Sequence, residues 1–159
     1  MSIRSTCKGI VIDNGKVLLN ICQDPFHGKY YSLPGGGQET EEFLEEAIRR
    51  EIKEETGYLV IPERFVGIGE EICEDPVVRE KWPDYIHKMY HIYLCSLETL
   101  ETVEPTEVDD MQLGCEWVEL SKIKNIELLP EMVKDNFDKM VKGKCPVYLD
   151  SVRVEHHHG

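Results

Sequence analysis

The stretch "LPGGGQETEEFLEEAIRREIKEETGY", Leu33–Tyr58, decides how this chain is interpreted. Three consecutive glycines lead into a glutamate-rich segment that predicts a helix. This helix should run from about Thr40, a suitable N-cap, to Gly57, a suitable C-terminal glycine. Its last two turns carry an unusual concentration of negative charge, in Glu51, Glu54 and Glu55.

These three glutamates fall on the apolar side of the predicted helix. At about 100° per residue they share the stripe formed by Leu44, Ala47 and Ile48, whereas Arg49 and Lys53 lie opposite. A helix with merely solvated charges would not place its carboxylates there. Inward-facing carboxylates cost about several kcal/mol unless they are protonated or paired. A magnesium ion would pair them, and it usually also binds substrate phosphates, so the pattern predicts a metal site for a phosphorylated substrate.

Two neighbouring features fit such a site. Arg50 can reach Glu46 and Glu54, one helical turn away on either side, and could hold a carboxylate in orientation. The alternative for Arg50 is an ordinary surface ion pair. The glycines Gly35–Gly37 allow close approach of the backbone, which suits a carbonyl or amide placed against a metal or phosphate. The alternative for the glycines is a flexible turn.

Length and charge narrow the class of protein. At 159 residues with 41% hydrophobic residues, we expect one domain over residues 1–154. The ending Glu155–Gly159, "EHHHG", resembles the remains of a purification tag, and we exclude it from the predicted domain. A formal charge of −13 opposes nonspecific binding to nucleic acid or an anionic membrane. Without a signal-like or long apolar segment, we expect a cytoplasmic protein.

The rest of the chain alternates strand-like and helical patterns. Asn14-Gly15 between two apolar runs predicts a hairpin. Strands are predicted in the middle of the chain, a helix from about Pro130 to Val141, and a final strand "VYLDSVRV" that could pair at a sheet edge. No repeat or linker divides the sequence.

The residues around the glutamates resemble the signature of the Nudix (MutT-like) hydrolase family, G-x5-E-x7-R-E-U-x-E-E-x-G-U, where U is a bulky aliphatic residue. Every interval is correct, and the only departure is the aromatic Tyr58 at the last position. "YYSLPGG" and "CEWVEL" also resemble sequences of this family, although no subfamily can be assigned. The positions that fill the signature are Gly36, Glu42, Arg50-Glu51-Ile52, Glu54-Glu55 and Gly57.

The resemblance implies an α/β fold of the Nudix type, an α/β/α sandwich with a mixed central β-sheet and the signature as a loop-helix-loop. It implies hydrolysis of a phosphoanhydride bond with Mg²⁺ or Mn²⁺, in a nucleoside diphosphate linked to another moiety. The substrate could be a nucleoside triphosphate, a nucleotide sugar or a dinucleoside polyphosphate. By the same resemblance, Glu51, Glu54 and Glu55 would bind the metal with the carbonyl of Gly35, and Arg50 would orient them.

Several questions stay open at this point. The general base could be a signature glutamate, Glu51 or Glu54, or an acid of a later loop, Glu107, Asp109 or Asp110. The alternative function is a catalytically inactive Nudix-fold domain that binds a nucleotide or regulates a partner. We expect a small-molecule nucleotide substrate and no membrane partner, and either a monomer or a homodimer.

Overall fold

The computed structural model describes residues 2–107 and 111–158, and this part of the chain forms one mixed sheet with helices on both faces. The strands are β1 Arg4–Asp13, β2 Lys16–Asp24, β3 Gly28–Ser32, β4 Gly35–Gly37, β5 Tyr58–Cys73, β6 His87–Thr102, β7 Gln112–Glu119, β8 Leu128–Leu129 and β9 Val147–Val154. The α-helices are α1 Leu44–Thr56, α2 Pro76–Lys81, α3 Glu131–Asp135 and α4 Phe137–Lys142.

The sheet runs in the order β8-β3-β2-β1-β6-β5-β9, with β4 paired to β1 and β7 paired to β2. The pairs β1–β6, β3–β8 and β5–β9 are parallel, and the others are antiparallel. The predicted hairpin is confirmed, because Asp13 pairs with Lys16 across a turn in which Asn14 and Gly15 both have positive φ.

Each face of the sheet buries its own apolar cluster. Helix α1 covers one face, where its buried side chains pack against the strands; this cluster contains Cys7, Val11, Leu18, Ala47, Ile48, Ile52, Val60 and Cys95. Helices α3 and α4 cover the other face, and their side chains Met132, Val133, Phe137 and Met140 join a larger cluster with β1, β2, β5 and β6. The predicted α/β/α arrangement with a mixed central sheet is therefore confirmed.

Helix α1 starts one turn later than the sequence pattern predicts. Glu41 has a positive φ of 68°, which is incompatible with a helix beginning at Thr40. The helix instead begins after Phe43, whose N–H donates to the Glu46 carboxylate at 3.3 Å. It ends as predicted at Gly57, whose φ of 78° is left-handed.

The C-terminal part also differs from the prediction. The single helix expected from Pro130 to Val141 is two short helices, separated at Asn136, whose φ and ψ are −108° and 7°. The Asn136 amide donates to the carbonyl of Met132 at 2.8 Å and so satisfies the end of the first helix. The final strand is present as β9, and it pairs in parallel with β5.

The segment after β9 packs against the domain, although it was expected to lie outside the fold. His158 is buried, with its Nε2 2.8 Å from a carboxylate oxygen of Glu71. The ring of His156 stacks on Phe26 with 4.0 Å between centroids. None of the helices in the described residues has the length and apolar character needed to cross a membrane.

Candidate active site

A pocket of about 580 Å³ opens beside the glycine strand β4. Strand β4 pairs with β1 on one side, while the C-terminal half of α1 packs against it on the other. The predicted site residues that line this pocket are Gly35, Glu51 and Glu55. The fold therefore brings these three together, although they are up to 20 residues apart in the sequence.

Glu51 lies directly against the glycine strand. A Cβ atom at Gly36 would be 2.5 Å from Glu51 Oε2, so a larger residue there would push the Glu51 carboxylate out of this position. The other oxygen, Glu51 Oε1, accepts a hydrogen bond from Arg50 Nη1 at 2.9 Å. Gly36 of the signature thus serves to make room for a carboxylate.

Glu55 is held by polar groups in an otherwise enclosed position. Its Oε1 accepts from the backbone N–H of Gly35 at 2.8 Å and from Asn20 Nδ2 at 3.4 Å. Burial raises the pKa of the Glu55 carboxyl to about 7, and the charge of Glu51 adds to this, although Lys8 and the two hydrogen bonds oppose it. Without a bound cation, burying this second carboxylate next to Glu51 is therefore costly.

Glu54 takes a different position from its two neighbours. Its side chain lines a separate pocket beside Arg50 and accepts from Arg50 Nη1 at 3.3 Å. Its backbone carbonyl accepts from the N–H groups of Thr106 and Glu107, both at 2.9 Å. Glu54 thus anchors the loop after β6 to the end of α1, and its carboxylate does not line the pocket that holds Glu51 and Glu55.

Arg50 is the centre of a hydrogen-bonded network. It binds Glu42 with two bonds, Nε to Oε2 at 2.7 Å and Nη2 to Oε1 at 2.9 Å, and it donates to the Gly37 carbonyl at 2.9 Å. These bonds to Glu42 and Glu51 raise the pKa of the guanidinium above its ordinary value. The predicted contact with Glu54 is present, but Glu42 takes the place expected for Glu46, which instead accepts from the Phe43 N–H.

This network leads to a stability prediction. We expect Arg50→Gln to lower the free energy of unfolding by about 2–4 kcal/mol, because it leaves partly buried carboxylates without their cation. Urea denaturation of the metal-free protein measures the change. Arg49→Gln, on the exposed side of the same helix, is the matched control and should change stability by less than about 0.5 kcal/mol. Equal losses in the two variants would contradict this role of Arg50.

The pocket offers oxygen ligands of the kind that a hard divalent ion prefers. Within the described residues, no group of three or more His, Cys, Asp or Glu side chains is close enough together to hold a metal ion. Magnesium, however, is commonly bound through one or two carboxylates, with waters and substrate phosphates completing its shell. Glu51, Glu55 and the Gly35 carbonyl fit that smaller set. The close packing of the Glu51 carboxylate on Gly36 and the raised pKa of Glu55 indicate a site that gains from a cation.

The loop after β6 supplies the third wall. Glu107 is exposed and lines the pocket with Thr106 and Met111. The other two acids proposed as general base, Asp109 and Asp110, lie outside the described residues. The structure thus places one of the three loop candidates beside the pocket.

The sequence analysis did not identify several polar residues that line the pocket, namely Arg4, Thr6, Lys8, Asn20 and Gln112. Asn20 joins Gln112 to Glu55, since Gln112 Nε2 donates to its Oδ1 at 3.1 Å. The available signal was period-two alternation in "RSTCKG", which places Arg4, Thr6 and Lys8 on one face of β1. The apolar run predicted as the first strand of the hairpin, "CKGIVID", begins only at Cys7, so this signal was missed.

Comparison with known proteins identifies relatives of the chain. Residues 5–140 match the NUDIX domain family. The chain is 41% identical over 69 residues to the ADP-ribose pyrophosphatase of Methanocaldococcus jannaschii, which covers 43% of this chain and 40% of that protein. It is 32% identical over 102 residues to the nucleoside triphosphatase NudI of Klebsiella pneumoniae, which covers 62% of this chain and 67% of that protein.

The fold is also similar to solved structures. A NUDIX hydrolase from Nitrosomonas europaea superposes with a TM-score of 0.68 at 17% identity, covering 92% of this chain and 94% of that chain. At 17% identity, this similarity shows that the two proteins share a fold, and it says nothing about their activities. The match of the sequence to the NUDIX domain, together with the presence of all signature acids, carries the assignment to a family.

Proposed function

The chain belongs to the Nudix family, and from this we propose that it hydrolyses a phosphoanhydride bond in a nucleoside diphosphate linked to another moiety. The ADP-ribose pyrophosphatase and nucleoside triphosphatase names of its relatives support this class of reaction. The observation that carries the proposal is the position of Glu51 and Glu55, which face one pocket beside the glycine strand. Glu51, Glu54 and Arg50 are the proposed catalytic residues.

We assign Gly35, Glu51 and Glu55 as ligands of Mg²⁺ or Mn²⁺. Glu54 was predicted as a further ligand. To bind the same ion, its side chain would have to leave Arg50 and turn into the pocket lined by Glu51 and Glu55. When bound, the ion would neutralise phosphate charge and lower the pKa of a water molecule. The raised pKa of Glu55 and the hard oxygen donors of this set support the assignment.

The chain's own residues would position the substrate and move a proton. Backbone groups of Gly35–Gly37 line the pocket and would lie beside the substrate phosphates, where the absence of side chains allows close contact. Arg50 holds Glu51 in orientation through Nη1. A carboxylate then accepts the proton of the attacking water, and the candidates are Glu51, Glu54 and the acids of the loop after β6. Most of the acceleration comes from positioning and preorganised charge.

The proposed setting follows from the charge and size of the chain. We propose that this domain acts in the cytoplasm on a small nucleotide without a nucleic-acid or membrane partner. The charge of −13 supports this, since it disfavours binding to polyanions outside a local positive site. The function of a pure binding domain is disfavoured because such a domain has no need to keep every acid of the signature.

A metal-removal experiment tests the proposed function. A panel of nucleoside triphosphates, nucleotide sugars and dinucleoside polyphosphates should yield monophosphate, phosphate or pyrophosphate with Mg²⁺. Chelation with EDTA should lower this rate by at least roughly 10²-fold, and readdition of Mg²⁺ or Mn²⁺ should restore it. Binding of a nucleotide without release of any product from the whole panel would support the inactive binding domain instead.

A further inference from the structure

The pocket floor carries positive charge that the glutamates do not neutralise. Arg4, Thr6 and Lys8 alternate along β1 and all line the pocket; we call them the β1 row. The row runs antiparallel to the glycine strand, with Lys8 opposite Gly35. At the other end, the Arg4 guanidinium lies against Gly37, where a Cβ would be 2.5 Å from Nη2. One cation therefore stands at each end of the glycine strand.

Neither cation forms a close ion pair with a carboxylate of the described residues, although the charge of Lys8 acts on Glu55 at longer range. Among the described residues, no acid lies within 4.0 Å of the charged nitrogens of Arg4 or Lys8. Arg4 instead lies 4.5 Å from the ring centroid of Tyr85, and Lys8 Nζ is 3.4 Å from the Gly35 carbonyl oxygen. In a chain with 31 acidic and 18 basic residues, two pocket cations that form no ion pair with an acid of the described residues indicate an external anion.

A buried lysine extends this charge behind Arg4. Lys88 pairs with Arg4 in the parallel register of β1 and β6, lines the pocket and is 5% exposed. Its Nζ is 3.5 Å from Glu71 Oε1, but Glu71 also binds His158 at 2.8 Å. Burial raises the pKa of Glu71, yet His158 and Lys88 outweigh this and lower it to about 2. One carboxylate is thus shared between two bases.

Buried polar atoms without a partner complete the site. Thr6 Oγ1 lies between the two cations of the row, and it has no hydrogen-bond partner among the described residues although Thr6 is only 5% exposed. Gln112 Oε1, on β7, also lacks a partner among the described residues, but an amide oxygen only accepts hydrogen bonds and so needs a donor such as water rather than a phosphate. Buried polar groups are normally satisfied, so an unpaired hydroxyl between two cations indicates a ligand that accepts hydrogen bonds.

We propose that the β1 row and Lys88 bind the part of a polyphosphate chain that extends beyond the scissile diphosphate. Arg4 and Lys8 are four residues apart, or roughly 13 Å along the strand, which is longer than a diphosphate needs. The preferred substrates are then nucleoside triphosphates, whose third phosphate reaches Arg4, rather than nucleoside diphosphate sugars. This inference rests on the proposed function and specifies its substrate class.

The test compares two substrates with the same base. The wild-type protein should have a higher kcat/KM for ATP than for ADP-ribose. Arg4→Gln should lower kcat/KM for ATP by roughly 10- to 100-fold, mainly through KM, as expected for a lost charge-assisted hydrogen bond. ADP-ribose hydrolysis should change by less than about threefold. Lys29→Gln, an exposed lysine of β3 outside the pocket, is the control and should change neither.

A binding measurement separates this inference from the proposed function. Titration calorimetry in EDTA should show tighter binding of inorganic tripolyphosphate than of pyrophosphate, and Arg4→Gln or Lys8→Gln should remove the difference. Equal losses on ATP and ADP-ribose, or equal binding of the two inorganic anions, would overturn the inference while hydrolysis stands. If neither nucleotide is hydrolysed, the preference for nucleoside triphosphates is overturned; the full nucleotide panel then decides the proposed function, and the titration decides whether the row binds polyphosphate.

Discussion

Glu51→Gln and Glu55→Gln should each lower kcat by at least roughly 10²–10³-fold, the scale seen when one preorganised charged or polar group is removed from an active site. The amide is nearly the same size as the carboxylate, but it brings no negative charge to a divalent ion. Both side chains face the pocket beside Gly35, so either change weakens the same site. Steady-state kinetics at saturating Mg²⁺ on the best nucleotide measures the effect.

Two controls make this result specific. Glu45→Gln, on the exposed face of the same helix, should keep near-wild-type turnover. Without metal, Glu55→Gln should melt no lower than wild type at pH 8. The folded pKa of Glu55 is raised, so its ionisation costs stability progressively as the pH rises from its ordinary value of 4.5 to about 7, and the amide removes that cost. Near-wild-type turnover in Glu51→Gln or in Glu55→Gln would refute the assignment of that residue as an essential ligand.

One acid of the loop after β6 should also be essential. We expect one of Glu107→Gln, Asp109→Asn or Asp110→Asn to lower kcat by roughly 10²-fold or more, the scale of lost general-base catalysis, with little change in metal affinity. Glu107 is the one of the three that lies in the described residues; it lines the pocket, and its N–H donates to the carbonyl of Glu54. The pH profile of kcat for each variant identifies the residue that titrates.

The matched control for this series is Glu104→Gln, which changes an exposed acid of the same loop that does not line the pocket of Glu51 and Glu55. It should leave kcat and its pH profile unchanged. Should all three loop variants also keep their rate and profile, the loop does not supply the base. The proton acceptor is then a signature glutamate, Glu51 or Glu54, or a metal-bound hydroxide would act unaided.

The sequence predicted the fold well wherever the pattern was local. The Asn14-Gly15 turn and the end of α1 at Gly57 depend on backbone conformations that few residues other than glycine and asparagine adopt readily. The start of α1 was misplaced because Thr40 and two glutamates resemble a cap, while the actual first turn uses Phe43 and Glu46. The helix breaks at Asn136, whose side-chain amide donates a hydrogen bond to the backbone carbonyl of Met132. The periodicity of the apolar residues does not reveal this contact.

The part of the site that depends on local sequence pattern could also be predicted. Helical geometry placed Glu51 and Glu55 toward the pocket and predicted the contact between Arg50 and Glu54, but it did not show that the Glu54 side chain would lie outside that pocket. Arg4 and Lys88 are more than 80 positions apart in the sequence, and only the parallel register of β1 and β6 brings them together. Contacts that depend on strand pairing across the chain need the tertiary structure.

The central claim is that the pocket of Glu51 and Glu55 cleaves a phosphoanhydride with water. The most direct test is hydrolysis of the best nucleotide in water labelled with heavy oxygen, with Mg²⁺ present, followed by mass spectrometry of the products. The account predicts one labelled oxygen in a phosphate-bearing product, and a rate lowered at least roughly 10²-fold by Glu51→Gln. Products without label, or labelled product formed equally fast by Glu51→Gln, would contradict it.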